Sequence, residues 1–220
     1  MRGRLKLDPA TDMLGAIDVQ PSFMPGGELP VPDGDAIVPV INHLLADRFL
    51  NAFATQDWHP PGHSSFASMH PGRTPYDVVS MPYGPQMLWP DHAIQGSRNA
   101  ALHPGLDSAR FSLILRKGLD PALDGYSAFR DNDGTSRTGL AGLLQARGVK
   151  RLFLCGLAGD VCVAWSAEDA IEAGFETYLV EDATRSIGMI LPDGGNSADI
   201  ARKRLEACGV VFVTSNDLTL

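Results

Sequence analysis

Three residues whose types suit nucleophilic catalysis lie at or just after short apolar runs of the chain: Asp18, Lys117 and Cys162. If these runs are parallel strands of one sheet, the three side chains lie at its carboxyl edge, where open α/β sheets bind ligands. An acid can take the thiol proton there, and an ammonium group can stabilise the charge that results. Taken singly, each residue also has a structural interpretation, as a turn acid, a solvated strand-end lysine and a small buried thiol. Their convergence favours a nucleophilic cysteine.

The segment Gly156–Val163 places Cys162 in the first turn of a helix that follows a strand. A helix N-terminus favours a thiolate, and its free backbone N–H groups can bind an oxyanion. We expect Asp160 to cap this helix. We also expect the charge of Lys117 to lower the pKa of the thiol.

The other two cysteines are predicted to be structural. Cys155 lies in the middle of an apolar run, and Cys208 lies at the end of a helical pattern near the C-terminus. An odd total of three excludes a disulfide framework and favours a reducing, cytoplasmic compartment. The basic N-terminal segment has no apolar core, so no signal peptide is predicted.

An acid and two histidines form a second group that could carry chemistry. Asp57 and His59 are two residues apart at the end of an apolar run, so their side chains leave the same face of a strand. Together with His92 they suit a divalent transition metal, with zinc preferred over manganese or iron. His63 could add a further contact. Loop hydrogen bonding by the acid and the first histidine is the structural alternative.

The elements that must position these residues alternate regularly along the chain. Apolar runs predict strands, and helical spacing predicts the helices between them. The strands are expected at 13–18, 49–55, 111–115, 151–157, 177–180 and 210–214, and the helices at 37–49, 138–147, 161–173 and 197–207. This alternation predicts a doubly wound α/β fold, with a mostly parallel sheet covered by helices on both faces. We expect a single domain over residues 1–220, with a loop-rich excursion at about 58–106 that is functional.

Composition excludes several classes of protein. The chain has 26 acidic and 18 basic residues, a net charge of −8, which argues against nucleic acid or an anionic membrane as the main partner. A hydrophobic content of 44% excludes a largely disordered chain. No apolar stretch approaches the roughly 20 residues of a membrane span. The expected partner is a small molecule.

Several sequence pieces occur together in the order found in one family. They are Ile17-Asp18-Val19-Gln20 with Phe23, Asp57-Trp58-His59-Pro60, His63-Ser64-Ser65-Phe66, Trp89-Pro90-Asp91-His92, Arg116-Lys117-Gly118, Tyr126-Ser127-Ala128-Phe129 and Asp160-Val161-Cys162-Val163. This pattern resembles the nicotinamidases, which belong to the isochorismatase-like cysteine hydrolases, and it runs over nearly the whole chain. The chain departs from the family pattern at Gly159, where threonine is common, and in the stretch 71–88.

The resemblance implies a six-stranded parallel sheet and hydrolysis of the carboxamide of nicotinamide to nicotinate and ammonia, in NAD salvage. It implies that Cys162 is the nucleophile, Asp18 the proton-transfer residue and Lys117 the group that binds both. It also implies an oxyanion hole formed by the amides of Ala158 and Cys162, with a cis peptide before Ala158.

The resemblance further implies a metal held by Asp57, His59 and His92. The pyridine ring would be flanked by Phe23 and Trp89, with Tyr126 nearby. Pyrazinamide is a second substrate to consider, and assembly into a homo-oligomer is left open.

Three other functions stay open from the sequence. The first is a related cysteine amidase for a carbamoyl, ureido or other small amide substrate. The second is a metallohydrolase in which Cys162 only packs, and the third is a binding domain without catalysis. A nicotinamidase binds a metal and a related cysteine amidase does not, so bound metal distinguishes these two. A nicotinamidase also needs the Cys162 thiol for activity, whereas the metallohydrolase does not.

Overall fold

The computed structural model describes residues 4–191 and 194–220. Its strands are β1 (Leu5–Lys6), β2 (Asp12–Ile17), β3 (Ala52–Asp57), β4 (Val78–Met81), β5 (Gly84–Met87), β6 (Leu113–Lys117), β7 (Arg151–Gly156), β8 (Glu176–Thr184), β9 (Val211–Val213) and β10 (Leu218–Thr219). Its α-helices are α1 (Ile37–Asp47), α2 (Leu140–Ala146), α3 (Cys162–Glu172) and α4 (Ser197–Cys208). Short 3₁₀ turns lie at Pro21–Phe23, Gly34–Ala36, Ala67–Met69, Ser108–Arg110 and Ser215–Asp217.

The central sheet has six parallel strands in the order β6-β3-β2-β7-β8-β9. Side chains alternate between the two faces of the sheet along each strand, and both faces carry apolar side chains that helices cover. Leu14 and Ala16 of β2 pack with α1 on one face, whereas Met13 and Ile17 pack on the other with α2, α3 and α4. The predicted doubly wound α/β fold is therefore confirmed.

Strand order places the first and fourth predicted strands side by side at the centre of the sheet. From β2 the chain proceeds to β3 and β6 in one direction, and it then returns to β7, β8 and β9 on the other side. The reversal between β2 and β7 is a topological switch point, where the connections leave a crevice at the carboxyl ends. Asp18 follows β2 and Cys162 follows β7, so both lie at this crevice.

The observed element bounds differ from the predicted ones in a few places. β3 begins at Ala52 rather than at residue 49, because Leu14 of β2 pairs with Ala52 and the preceding Leu50 is turned out to solvent. β8 continues to Thr184, four residues further than predicted.

Two small strand pairs were not predicted. Parallel β1 and β10 pair near the two ends of the chain, and antiparallel β4 and β5 form a hairpin inside the excursion. The hairpin strands are mostly only partly buried, and their sequences, VVSM and GPQM, do not alternate apolar and polar residues, so they carry little sequence signal. Within the described ranges, no helix is both long and apolar enough to cross a membrane.

Gly156, the last residue of β7, has a backbone conformation that a residue with a side chain could not adopt without strain. Its φ is +114°, and a Cβ built there would lie 2.1 Å from the carbonyl oxygen of Ile17. We expect Gly156→Ala to lower the free energy of unfolding by about 3 kcal/mol or more, since strain and a backbone clash add. Gly142→Ala, on an open face of α2, is the control and should raise stability by about 0.5–1 kcal/mol. Urea unfolding measures both, and equal stability of the two variants would contradict this account.

Candidate active site

A pocket opens at the carboxyl edge of the sheet, beside the switch point. It is lined by Phe23, Leu29, Asp57, His59, Trp89, His92, Asp124, Tyr126, Ala158, Val161, Cys162 and Ile187. The structure thus brings eight of the ten predicted site residues to its wall, and the other two, Asp18 and Lys117, lie directly behind it.

Lys117 is the centre of the buried charges. It is the last residue of β6, and its Nζ lies 2.9 Å from Asp18 Oδ2, 3.0 Å from Asp57 Oδ1 and 3.5 Å from Cys162 Sγ. Its side chain and that of Asp18 have no exposed surface. The hydroxyl of Thr55 donates to Asp18 Oδ1 over 2.6 Å, which fixes the orientation of that carboxylate. One ammonium group therefore lies between two carboxylates and a thiol.

The protonation states follow from this burial. Burial alone would lower the pKa of Lys117, but the carboxylates of Asp18 and Asp57 outweigh it and raise that pKa well above its usual range. Burial raises the pKa of Asp18, although the charge of Lys117 opposes this. The lysine is thus a permanent cation, and Asp18 is a stronger base than an exposed carboxylate.

Lys117 does lower the pKa of the Cys162 thiol, as expected, but burial outweighs it. Burial raises the pKa of Cys162 well above its usual range, with Lys117 opposing and the nearby carboxylates of Asp18 and Asp57 adding to the rise. Cys162 therefore rests as a neutral thiol, and a nucleophilic role would require a base that takes its proton.

Cys162 is the first residue of α3, as predicted, but Asp160 does not cap that helix. Val161 occupies the N-cap position without a side-chain hydrogen bond. The Asp160 carboxylate instead accepts from the amides of Ile187 and Gly188 and from the hydroxyl of Ser197. It thereby fixes the segment that carries Ile187 to the pocket.

Backbone amides at the strand–helix junction are left free to bind an anion. The carbonyl of Ala158 accepts from the amides of Val161 and Val163, which flank Cys162. Among the described residues, the amides of Cys162 and Ala158 donate to no other group. The Leu157–Ala158 peptide is cis, as the resemblance implied. Two unpaired N–H groups on residues that line the pocket match the requirement of an oxyanion hole.

Asp57, His59 and His92 meet at the other side of the pocket. Asp57 Oδ2 lies 3.0 Å from His59 Nε2 and 3.2 Å from His92 Nε2, and all three residues are buried. Gly118 allows this packing: its φ is +65°, and a Cβ there would lie 2.5 Å from His59 Cε1.

The chemistry of these three side chains fits a divalent cation. His59 Nδ1 lies 3.0 Å from the carbonyl of Gly118, and His92 Nδ1 lies 2.8 Å from that of Pro90. A carbonyl only accepts, so both Nδ1 atoms carry a proton, and in the neutral imidazoles both Nε2 atoms present a lone pair toward Asp57. Three lone-pair donors then face one another, and a positive charge between them removes their repulsion.

His63 is adjacent to this group but is oriented differently. With His59 and Asp124 it forms a second cluster of buried ligand-type residues. Its Nδ1 accepts from the amide of Ser65, which places the proton on Nε2, 3.4 Å from the carbonyl of Leu123. In this tautomer neither nitrogen has a free lone pair for a metal.

Aromatic side chains form the walls between the two groups. The ring of Phe23 meets His92 edge-on at 5.5 Å, and Trp89 meets Tyr126 edge-on at 6.0 Å. The indole of Trp89 also donates to the hydroxyl of Tyr126 over 3.1 Å. These contacts create a slot for a flat ring.

Comparison with known proteins agrees with this geometry. The isochorismatase domain model matches residues 13–217. A nicotinamidase of Acinetobacter baylyi is 45% identical over 202 residues, which cover 92% of this chain and 92% of that protein. The chain belongs to the isochorismatase family.

Solved structures of isochorismatase-like proteins share its fold. A nicotinamidase/pyrazinamidase of Acinetobacter baumanii has a TM-score of 0.90 at 43% identity, covering 96% of this chain and 99% of that one. PnC1 of L. infantum, in complex with nicotinate, has a TM-score of 0.84 at 37% identity and covers 98% of each chain. A pyrazinamidase of Pyrococcus horikoshii, in complex with zinc, has a TM-score of 0.70 at 31% identity, covering 92% of this chain and 98% of that one.

Sequence reasoning missed polar residues that support this isochorismatase-type site. Gln86, on the unpredicted hairpin, is 1% exposed and donates to Asp124 and to the hydroxyl of Tyr126. Asp124 itself lines the pocket. Gln20 and Thr55 contact Asp57 and Asp18 from behind. The stretch 71–88 departs from the family pattern, and no periodicity marks Gln86 as buried.

Replacing Lys117 tests how far the site depends on its charge. Lys117→Met leaves two buried carboxylates uncompensated, so we expect the free energy of unfolding of the metal-free protein to fall by about 3–5 kcal/mol at pH 7. Without the lysine charge, the pKa of Asp18 in the folded variant rises further above its value in the unfolded chain. The loss of stability relative to wild type should therefore be smaller at pH 5, where Asp18 of the folded variant is protonated more readily. Lys150→Met, at an exposed position, is the control and should stay within about 0.5 kcal/mol of wild type. Denaturant unfolding at both pH values measures the two free energies. If Lys117→Met lost no more stability than Lys150→Met, the proposed dependence on the Lys117 charge would be contradicted.

Removing one of the paired histidines tests the metal site. We expect His92→Ala to lower zinc affinity by at least about 100-fold, because a direct ligand contributes no less than its outer-shell partners. His43→Ala, whose side chain is 48% exposed on α1, should bind zinc as wild type does. Metal content after dialysis, measured by mass spectrometry, checks both variants. Equal zinc content in the two would contradict the ligand assignment.

Proposed function

We propose that this chain is a nicotinamidase, which hydrolyses nicotinamide to nicotinate and ammonia through a thioester on Cys162. The observation that carries the proposal is the juxtaposition of Cys162 Sγ, Lys117 Nζ and Asp18 Oδ2, over 3.5 and 2.9 Å, at one pocket with a metal-binding group. The relatives named as nicotinamidases and the relative that binds nicotinate support the same substrate.

The pocket selects a flat aromatic amide rather than a linear ureido compound. Phe23, Trp89 and Tyr126 line the pocket with aromatic rings, against which a pyridine ring can pack. Asp57, His59 and His92 would hold a divalent cation, which supplies a Lewis acid able to attract the ring nitrogen. The aromatic walls would orient the carboxamide carbon toward Cys162, and orientation of this kind contributes up to roughly 7–11 kcal/mol.

The first half-reaction transfers the acyl group to sulfur. Asp18 takes the proton of the Cys162 thiol as sulfur forms a bond to the carboxamide carbon. Lys117 stabilises the negative charge on the thiolate as it forms. The amides of Ala158 and Cys162 donate to the oxyanion, each such donor being worth about 3–4 kcal/mol. Asp18 returns the proton to the departing nitrogen, the C–N bond breaks, and ammonia leaves a thioester.

The second half-reaction releases the acid. Asp18, now ionised again, takes a proton from water as the water oxygen bonds to the thioester carbon. The same two amides hold the second oxyanion. The C–S bond then breaks as Asp18 returns its proton to the sulfur, and the new carboxylic acid loses its proton to solvent and departs as nicotinate. The raised pKa of Asp18 suits both directions of transfer, because the carboxyl must accept and donate near neutral pH.

Zinc is the proposed metal, supported by the zinc-bound pyrazinamidase and by two imidazoles with one carboxylate. Manganese and iron suit the same ligand types. Pyrazinamide is a further proposed substrate, since two of the relatives carry pyrazinamidase in their names. We also propose a single domain and a cytoplasmic location, which three unpaired cysteines support.

Loss of the nucleophile tests the mechanism. We expect Cys162→Ala to lower ammonia release from nicotinamide by at least about 10³-fold while zinc content stays unchanged. Cys208→Ala, which removes an exposed thiol remote from the pocket, should keep wild-type activity. Both are assayed on samples whose metal is measured in parallel. Near-normal turnover by Cys162→Ala would favour a metallohydrolase instead.

A further inference from the structure

Gln20 lies behind the pocket and is completely buried, yet neither the proposed chemistry nor the aromatic walls involve it. Its amide group makes three short hydrogen bonds. Nε2 donates to the carbonyl of Asp57 over 2.9 Å and to that of Ala100 over 2.7 Å. Oε1 accepts from the amide of Asp57 over 2.8 Å. One side chain therefore holds both backbone polar groups of a single residue, Asp57.

This contact replaces a strand that has ended. Strand β2 pairs with β3 as far as Ala16 and Ala54, and it stops at Ile17. The next residue, Asp18, has a φ of +48°, which turns the chain away from the sheet. The backbone of Asp57 would then lack a partner on that side, and unpaired buried amides and carbonyls are costly. The amide of Gln20 supplies the donor and acceptor that β2 no longer provides.

The backbone of Asp57 matters because its two carboxylate oxygens serve different groups. Oδ2 faces the Nε2 atoms of His59 and His92, whereas Oδ1 accepts from Lys117. A displacement of Asp57 would disturb the metal-binding group and the lysine at the same time. Positional errors of about 1 Å can cost on the order of 10²-fold in rate.

We infer that Gln20 is a positioning residue for the metal site: its amide acts as a substitute strand that fixes the backbone of Asp57, and with it the carboxylate shared by the metal and Lys117. This inference rests on the proposed function, since it concerns the same metal-binding group. It predicts that Gln20 controls zinc affinity without touching zinc or substrate.

Gln56 offers a matched control. It is also a buried glutamine, 7% exposed, and its Nε2 donates to the same carbonyl of Ala100 over 3.0 Å. Its Oε1 accepts from Arg116 rather than from Asp57. Gln20→Met and Gln56→Met thus remove equivalent side-chain amides, but only the first frees the backbone of Asp57.

The experiment is a zinc titration of metal-free protein against a chromophoric chelator, with thermal unfolding and nicotinamide kinetics on the same samples. We expect Gln20→Met to weaken zinc binding by about 10–100-fold, the usual cost of losing a residue that supports a metal ligand. We also expect its kcat to stay below that of wild type even when zinc is saturating. Gln56→Met should match wild type in zinc affinity and kcat, whatever stability it loses. Gln20→Leu, which also removes both donors and the acceptor and has a smaller side chain, should behave as Gln20→Met and serves if the latter does not fold.

Two negative results are distinguishable. A wild-type protein that binds zinc, together with Gln20 variants whose zinc affinity lies within twofold of it, overturns the role of Gln20 and leaves the proposed function intact. The same conclusion follows if Gln56→Met weakens zinc binding as much as Gln20→Met does. A wild-type protein that binds no zinc contradicts the metal site itself and, with it, any role of Gln20 there.

Discussion

The ammonium group of Lys117 is the constraint on which the rest of this site depends. An unpaired charge in a dry interior is strongly unfavourable, so a buried lysine must be surrounded by acceptors. Asp18, Asp57 and the carbonyl of Gly125 supply them, at 2.9 to 3.0 Å. Cys162 then lies against an ammonium group that can stabilise its thiolate. The charge of Lys117 therefore affects both the stability of the buried carboxylates and the reactivity of the thiol.

Sheet topology is what makes such an arrangement possible. The proposed base and nucleophile come after β2 and β7, whereas the proposed metal ligand Asp57 and the lysine are the last residues of β3 and β6. These four strands are neighbours in the sheet. Parallel strands end at one edge, so four distant segments bring their side chains to one crevice. Asp57 joins the two halves of that crevice, since one of its oxygens faces the histidines and the other faces Lys117. The proposed catalytic and metal-binding groups are consequently one network.

Much of this could be predicted from the sequence, because the relevant signals are local. Apolar runs and helical spacing predict the six strands of the central sheet and its helices, and motif order predicts the site residues that line or support the pocket. Bounds such as the start of β3 could not be predicted, since they depend on which residue of β2 pairs across. The hairpin that carries Gln86 was missed for a similar reason, because its burial comes from contacts with Asp124 and Tyr126.

The sequence by itself determined the fold class, the family and the identity of the chemically competent side chains, since each is encoded in residue type and short spacing. Only the tertiary structure decided their states. Cys162 rests as a thiol, although a helix start and a nearby lysine favour a thiolate, because burial and two carboxylates from other strands outweigh them. Asp160 holds a remote segment instead of capping its helix. Gln20 becomes a strand substitute because β2 stops before β3 does. Electrostatics, burial and register depend on residues far apart in the chain, and no local pattern contains them.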